Sequence, residues 1–172
     1  ATLLGNATTR FVYNFHQYQH TRQLLEEQLA TNPGISECAK IKCLPTVAGS
    51  IMRESHFAQN PNSPLQLSFE YSDGLGNVMM AKAQAAPGEA LQLDIQSDCS
   101  HSLQGLDTGS QLRWIGTGRT VLNNKANPVR QYEPYFSTNP FFEDHKELVE
   151  RGVSPVLFYD ALGRNIRTEL PD

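Results

Sequence analysis

A short corner motif recurs along this chain and constrains its fold more than any other feature. The motif pairs an Asp or Asn with a Gly or Asn three positions later, and it occurs as Asp73 and Gly76, Asn124 and Asn127, and Asp160 and Gly163. The first residue can accept backbone N–H groups within its own turn, and Gly readily takes the positive φ that closes a hairpin. Asn is the next best residue for that left-handed conformation. The three pairs therefore predict tight turns, each joining two antiparallel strands.

Alternating apolar residues predict the strands between these corners. The clearest case is Leu65 to Tyr71, where Leu and aromatic side chains occupy every second position. A mainly β single domain built of antiparallel hairpins follows. The predicted strands cover residues 8–15, 46–57, 65–71, 78–85, 91–95, 112–115, 119–122 and 129–132, and a further strand, tight turn and strand are predicted over residues 157–167.

Two segments break the strand pattern. One short helix is predicted over residues 21–30, with Thr21 as its cap, inside a surface insertion at about residues 20–45. Residues 88–110 are rich in Gly, Ser, Asp and Gln; a short edge strand is predicted at 91–95, and the part beyond it is predicted to be mobile.

Several runs of residues resemble one known family. Residues 159–164 (YDALGR) resemble the YD motif of Rhs/YD-repeat proteins. Longer runs resemble the B component of bacterial insecticidal toxin complexes; these are residues 4–10, 53–56, 123–125, 128–137 and 152–160. The resemblance covers most of the chain and excludes roughly residues 20–45.

The resemblance implies both an architecture and a role. In Rhs-type proteins such strands spiral into a hollow shell that encloses a toxic polypeptide. The resemblance therefore implies that the hairpins form a curved sheet, and we expect this chain to belong to that shell or to lead into it. The expected partners are other shell segments, the toxin cargo and the pore-forming component, in a secreted or extracellular complex. The Asp-Pro-x-Gly runs of the family's self-cleaving core are missing, and nothing corresponds to its variable toxic region. We therefore expect no enzyme activity and no cofactor or metal.

Charge and hydropathy exclude several other classes of protein. The 172 residues carry a net charge of −4, whereas a nucleic-acid surface needs a basic face. No window approaches the ~20 apolar residues of a membrane-spanning helix. The first residues lack the basic and apolar regions of a signal peptide and begin within a motif at 4–6, so we expect a piece of a longer chain.

Cysteine and histidine positions do not predict a reactive site. Three cysteines in this length favour plain thiols, and the alternative is a local bond between Cys38 and Cys43 that leaves Cys99 free. Cys99 and His101 could form a nucleophile with its base, but their polar surroundings favour a loop.

Two histidines have a spacing that suits metal binding on a helix. His16 and His20 lack a third ligand or a general-base Glu at the usual place, so a polar strand end is favoured over a metal site.

Aromatic residues offer the main alternative function. Trp114, Tyr132 and Tyr135 could stack on a carbohydrate or on a partner receptor, together with Phe141 and Phe142. Packing of these rings between repeats is the commoner use. A third interpretation, an enzyme that uses a histidine with a cysteine, has the least support in the sequence.

Overall fold

The part of the chain that the structure describes folds into two β-sheets and two α-helices. The structure is a computed structural model that describes residues 3–96, 98–152 and 154–171. Within these residues the helices are α1 (Gln17–Thr31) and α2 (Lys146–Val149), and a 3₁₀ turn covers Glu37–Ala39. The strands are β1 Thr9–Asn14, β2 Thr46–Arg53, β3 Leu65–Ser72, β4 Val78–Ala85, β5 Glu89–Ile95, β6 His101–Asp107, β7 Arg113–Gly116, β8 Thr120–Leu122, β9 Pro128–Gln131, β10 Tyr135–Ser137, β11 Val156–Tyr159 and β12 Asn165–Glu169. The predicted mainly β fold is confirmed.

The larger sheet has eight strands in the order β1-β2-β3-β4-β7-β10-β5-β6. Its neighbouring strands are antiparallel except β10 and β5, which pair in parallel through Ser137 and Leu91. The chain thus inserts β10 between two strands that precede it. As a result, the β5–β6 hairpin is connected to the rest of the sheet through β10, which comes later in the sequence.

The smaller sheet consists of two hairpins, in the order β12-β11-β9-β8. The hairpins meet where Val156 pairs with Arg130. Each contains one of the recurring corners, and the remaining corner joins β3 to β4 in the larger sheet. The predicted hairpins at these corners are therefore present.

A short junction joins the two sheets. The Arg119 N–H donates to the Val149 carbonyl oxygen at 2.8 Å, and the Tyr132 N–H donates to the Arg119 carbonyl oxygen at 2.9 Å. Gly118 is buried within this junction. A Cβ atom at this position would lie 2.5 Å from the Glu133 carbonyl oxygen and still closer to that of Tyr132. The backbone segments therefore approach too closely for a side chain at Gly118.

One face of the larger sheet is packed and forms the core. Its buried cluster contains Tyr71, Met80, Tyr135, Leu148 and Val149. The last two residues come from α2, and residues 138–145 lead the chain over the same face. The Tyr71 hydroxyl donates to the Pro140 carbonyl oxygen at 2.9 Å and so attaches this covering segment to β3.

The opposite face of the larger sheet is open. Cross-strand pairing places Phe11, Ser50, Ser68, Ala83 and Ile115 in one row across five strands. The hydroxyl oxygens of Ser50 and Ser68 lie 2.7 Å apart, and Phe11 and Ile115 are exposed. We call this face the open face; the row contains three small uncharged side chains between Phe11 and Ile115, and the charged residues Glu70 and Arg113 lie in neighbouring rows of the same face.

The first helix begins earlier than predicted. It starts at Gln17 rather than at 21, so residues 17–20 are helical and do not form a strand end. Thr21 is not the cap but a buried interior residue whose hydroxyl donates to the Gln17 carbonyl oxygen at 2.9 Å. The same hydroxyl accepts the Leu44 N–H at 3.0 Å. These bonds stabilise Thr21 inside the helix, where such residues are otherwise unfavourable.

The predicted cysteine state is wrong. Cys38 and Cys99 form a disulfide across 61 positions of sequence, with their Cα atoms 5.2 Å apart, and Cys43 is the free thiol. The bond attaches the 3₁₀ turn to the tip of the β5–β6 hairpin. Residues 101–107, predicted to be mobile, form β6 and pair with β5 along its whole length. Only this hairpin brings Cys99 near Cys38, and the polar composition of the segment did not indicate it.

Candidate functional site: repeated turns and a buried lysine–glutamate network

The three corners share one geometry, which is simplest in the corner between β3 and β4. Asp73 Oδ1 accepts the N–H groups of Leu75 and Asn77, both at 2.8 Å. Gly76 has a φ of +87°, a conformation that residues with a side chain rarely adopt. The carboxylate thus replaces missing backbone partners inside the turn, and the glycine closes it.

The corner between β11 and β12 repeats this arrangement and adds a contact. Asp160 Oδ1 accepts the N–H groups of Leu162 and Arg164, both at 2.9 Å, and Gly163 has a φ of +82°. A Cβ atom at Gly163 would lie 3.3 Å from Asn127 Nδ2 in the neighbouring corner, whereas one at position 76 would meet nothing within 4 Å. The sequence pattern predicted that Gly163 closes its turn. It did not reveal that the neighbouring Asn127 side chain also leaves little room for a side chain at position 163.

The hydrogen bonds of these two corners also change the acidity of their carboxyl groups. The pKa of Asp73 is lowered, mainly by the side-chain hydrogen bond from Asn77. The pKa of Asp160 is lowered, mainly by the backbone N–H of Arg164. Both groups are therefore held in the charged form by the turn itself, which is a structural role.

The third corner differs from the prediction by one position. Asn123, not Asn124, is the capping residue; its Oδ1 accepts the N–H groups of Lys125 at 2.9 Å and Asn127 at 3.0 Å. The residue at positive φ is Ala126, at +61°, rather than Asn127. Two neighbouring asparagines made both registers compatible with the motif. The hydrogen bonds of the folded turn select the one that places alanine in the strained position.

We expect Ala126→Gly to raise the free energy of unfolding by about 0.5–1 kcal/mol, because a side chain at positive φ is strained and glycine is not. Gly76→Ala should lower it by about 1 kcal/mol for the same reason. The midpoint of urea unfolding measures both changes. Gly74→Ala in the same turn is the matched control, since Gly74 has neither a positive φ nor an atom near a built Cβ. A loss of stability in Ala126→Gly would contradict this account.

The corners of the smaller sheet also contact each other. The Tyr159 hydroxyl donates to the Pro128 carbonyl oxygen at 2.8 Å, and the Lys125 ammonium donates to the Ala161 carbonyl oxygen. The tyrosine of the YD run therefore links one hairpin to the next rather than supporting its own turn. This contact gives the motif a role in joining successive hairpins.

Two of the three aromatic residues predicted as candidates for ligand stacking are buried. Trp114 is 8 % exposed and packs against Phe69, with ring centroids 5.6 Å apart, and Tyr135 is 5 % exposed. Tyr132 is half-buried beside Arg130. Trp114 and Tyr135 lie on the packed face. The sequence did not predict their burial, because alternation along a strand does not reveal which face of the sheet is covered. Neither residue offers a surface for a sugar ring.

The exposed aromatic residues lie elsewhere, at the start of the chain. Phe11, Tyr13 and Phe15 are 60 %, 55 % and 68 % exposed. Successive ring centroids in this series are 6.4 Å and 5.3 Å apart. Their period of two was visible in the sequence. Their exposure follows from the position of β1 at an edge of the sheet, which only the topology reveals.

A buried polar network is the feature that sequence reasoning missed. Lys82 is completely buried and forms an ion pair with Glu143, which lies between β10 and α2. The Tyr135 hydroxyl donates to Glu143 Oε2 at 2.8 Å, and the Ser137 hydroxyl donates to Oε1 at 2.8 Å. Asn139 Nδ2 donates to Oε1 at 3.1 Å. One carboxylate thus collects donors from β4, β10 and the covering segment.

Burial controls the electrostatics of this network. Desolvation lowers the pKa of Lys82, and the charge and hydrogen bond of Glu143 act in the opposite direction. Desolvation also raises the pKa of Tyr135, and the Glu143 carboxylate raises it further. The pKa of Tyr71 rises to about 12, because of desolvation and the charge of Glu143. Lys82 and Tyr135 therefore serve as buried hydrogen-bond donors to Glu143.

A cavity of about 1110 Å³ lies beside this network. Most of its surface is apolar, and its lining includes the start of α1, the β3–β4 corner and β8. Phe15, Tyr18, Met79, Leu122 and Phe142 contribute to this lining. Glu143 faces the cavity as well, but its oxygens are already occupied by the donors of the network.

The cysteines and histidines considered in the sequence do not form a reactive cluster or a metal-binding cluster. Cys99 is bonded to Cys38, so it cannot serve as a nucleophile with His101. His16 and His20 lie one helical turn apart, and the described residues contain no group of three or more His, Cys, Asp or Glu side chains placed to hold a metal ion. Among the same residues, neither helix is long and apolar enough to cross a membrane.

The fold defines a class of β-protein in which Asx-capped corners close antiparallel hairpins and neighbouring hairpins contact each other. Solved structures of Tc toxin complexes contain the same fold. The chain matches TcdB2-TccC3 without its hypervariable C-terminal region with a TM-score of 0.62 and 20 % identity, over 94 % of this chain and 9 % of that one. It matches the Tc holotoxin pore of Photorhabdus luminescens with a TM-score of 0.59 and 21 % identity, again over 94 % and 9 %.

A third match is to TcdB2-TccC3 itself, with a TM-score of 0.57 and 23 % identity, over 94 % of this chain and 7 % of that one. The chain therefore spans less than a tenth of these proteins whose fold it shares. No protein-family model matches it, and no curated protein sequence does. At these identities the shared property is the fold.

Proposed function

We propose that the chain is a wall segment of an Rhs-type shell that encloses a toxic polypeptide and helps to deliver it. The observation that carries the proposal is the fold shared with toxin-complex structures over 94 % of the chain. The YD run and its corners, where Tyr159 links one hairpin to the next, support the same proposal.

The mechanism that we propose is physical containment. In the larger sheet, one face is covered by residues 138–149 and the open face carries small uncharged side chains such as Ser68 and Ala83. Such a face can line a cavity without binding one particular sequence tightly. A continuous hydrogen-bonded sheet behind it would keep proteases and solvent from the contents.

The partners would be neighbouring shell segments, the enclosed toxin and the pore-forming component of the complex, acting outside the producing cell. The chain would have no catalytic role, and it would need neither a cofactor nor a metal. Its specific side chains would act on the fold, through the corners and the Lys82–Glu143 network.

Site-specific cross-linking tests containment directly. A photo-reactive amino acid at Ala83, on the open face, is expected to capture the enclosed polypeptide when the protein is produced as its gene encodes it, together with the other components of its complex. The matched control position is Glu27, an exposed residue of α1. Capture at both positions, or at neither, would contradict a lining role for the open face.

A second candidate function is a binding module. The exposed series Phe11, Tyr13 and Phe15 favours it, because contiguous exposed apolar groups commonly mark interaction sites. Binding to a glycan or receptor panel that disappears in Tyr13→Ala, but persists in Ala83→Ser, would favour this function over the wall segment.

A further inference from the structure

Four polar side chains meet where three segments of the chain converge. The Lys42 ammonium donates to Asp144 Oδ1 at 2.8 Å and to His145 Nε2 at 2.8 Å. The rings of His101 and His145 meet edge to face, with centroids 4.9 Å apart. Lys42 precedes β2, His101 begins β6, and His145 caps α2. These contacts, which we call the latch, join three parts of the chain that are distant in sequence.

The geometry fixes the charge state of the central histidine. An ammonium group has only donors, so Nε2 of His145 must accept with its lone pair, and the ring is therefore neutral. Burial lowers the pKa of His145; the Lys42 ammonium lowers it further, Asp144 opposes this, and His101 lowers it again. A proton on Nε2 would replace the accepting lone pair with an N–H directed at a cation.

We propose that the latch is an acid-responsive device: protonation of His145 breaks its contact with Lys42 and so loosens the attachment of the β5–β6 tip and residues 138–145 to the segment before β2. The proposal concerns the fold of this chain and does not depend on its role as a shell segment.

The surrounding carboxylates do not cancel the added charge. Asp144 already accepts from Lys42, and Glu147 on α2 acts least of the neighbouring groups on the pKa of His145. Glu143, the next acidic neighbour, is occupied by Lys82. Protonation of His145 would therefore place a second cation beside the Lys42 ammonium, with Asp144 as their shared carboxylate. Since folding lowers the pKa of His145, the stabilisation is complete above the ordinary histidine pKa and is lost as the pH falls through that value and below.

The disulfide limits how far the latch can open. Cys38–Cys99 joins the same two segments as Lys42 and His101, through a covalent bond that acid does not break. Acid alone should therefore loosen the contacts, while separation of the segments also requires reduction of the disulfide. A dithiol supplies the two electrons and two protons for that step and becomes a cyclic disulfide, leaving two cysteine thiols.

Hydrogen–deuterium exchange of the whole chain, corrected for the intrinsic effect of pH, tests the latch. Between pH about 8 and pH about 5, protection of residues 40–44, 98–102 and 144–149 is expected to fall roughly tenfold, while the β11–β12 hairpin is unchanged. The fall should be larger in protein whose disulfide was first reduced with dithiothreitol at pH about 8, where the dithiol forms its reactive thiolate. In the double variant His101→Phe and His145→Gln, which keeps a ring and an acceptor but cannot be protonated, the acid-induced fall should disappear.

Two further variants complete the experiment. His20→Gln removes an exposed histidine far from the latch in sequence and should behave like the unaltered protein. Lys42→Met removes the cation that contacts His145 and should reduce the acid-induced fall in protection. This variant tests the latch even if the double variant does not fold. Equal protection at both pH values in the unaltered protein would overturn the proposal. So would an undiminished fall in the double variant.

Discussion

Replacing Glu143 with alanine is expected to lower the free energy of unfolding by about 3–5 kcal/mol, the usual cost of removing one partner of a buried ion pair. The substitution leaves the Lys82 ammonium completely buried without its counter-charge. It also leaves the hydroxyl groups of Tyr135 and Ser137 and the amide of Asn139 without their common acceptor. We expect the segment over the packed face to detach first, because Glu143 is its main polar attachment.

Urea unfolding of a series of variants measures this effect and separates its causes. Lys82→Met combined with Glu143→Leu removes both charges and should recover much of the loss, since paired apolar replacements are often tolerated. Glu37→Ala is the matched control, because it breaks an exposed ion pair with Lys40 and should cost less than about 1 kcal/mol. A loss in Glu143→Ala no greater than in Glu37→Ala would contradict a stabilising network.

Replacing Gly118 with alanine is expected to destabilise the fold by about 3 kcal/mol, at the upper end of the cost of overpacking. The new methyl group would press against the carbonyl oxygens of Tyr132 and Glu133, which are backbone atoms and cannot rotate away. The junction between the sheets must then open, and with it the hydrogen bond from the Arg119 N–H to Val149.

The thermal and urea midpoints of Gly118→Ala should both fall, and Gly34→Ala provides the comparison. Gly34 is exposed after α1, has no positive φ and has no atom within 4 Å of a built Cβ. Its replacement should change the free energy of unfolding by no more than about 0.5 kcal/mol. If the two alanine variants were equally stable, the close approach at the junction would have no energetic importance.

Local features of the fold could be predicted because their causes are local. The corner at Asp73 depends on a side chain, a glycine and N–H groups within five residues, so a short run of sequence determines it. The alternation in β3 is equally local, since neighbouring side chains point to opposite faces. The same reasoning failed by one position at Asn123, where two adjacent asparagines satisfy the motif equally well. At Gly163 it found the turn but not the neighbouring Asn127 side chain, which belongs to another hairpin.

Long-range features could not be predicted because their causes are distant in sequence. Glu143 and Lys82 are 61 positions apart, and no spacing rule connects them. Cys38 and Cys99 meet only after β5 and β6 have formed a hairpin and joined the larger sheet. The burial of Trp114 likewise depends on which face residues 138–149 cover. The alternation of β7 identifies two faces but does not reveal which of them is buried.

The insertion of β10 between β7 and β5 has a consequence for biosynthesis. A ribosome releases the chain from its N-terminus, so β5 and β6 emerge before the strand that joins them to their sheet. Until Tyr135–Ser137 has left the exit tunnel, one edge of the nascent hairpin lacks its partner. Chaperones that shield unpaired strands are therefore expected to act during this interval, and slow translation just before Tyr135 would prolong it.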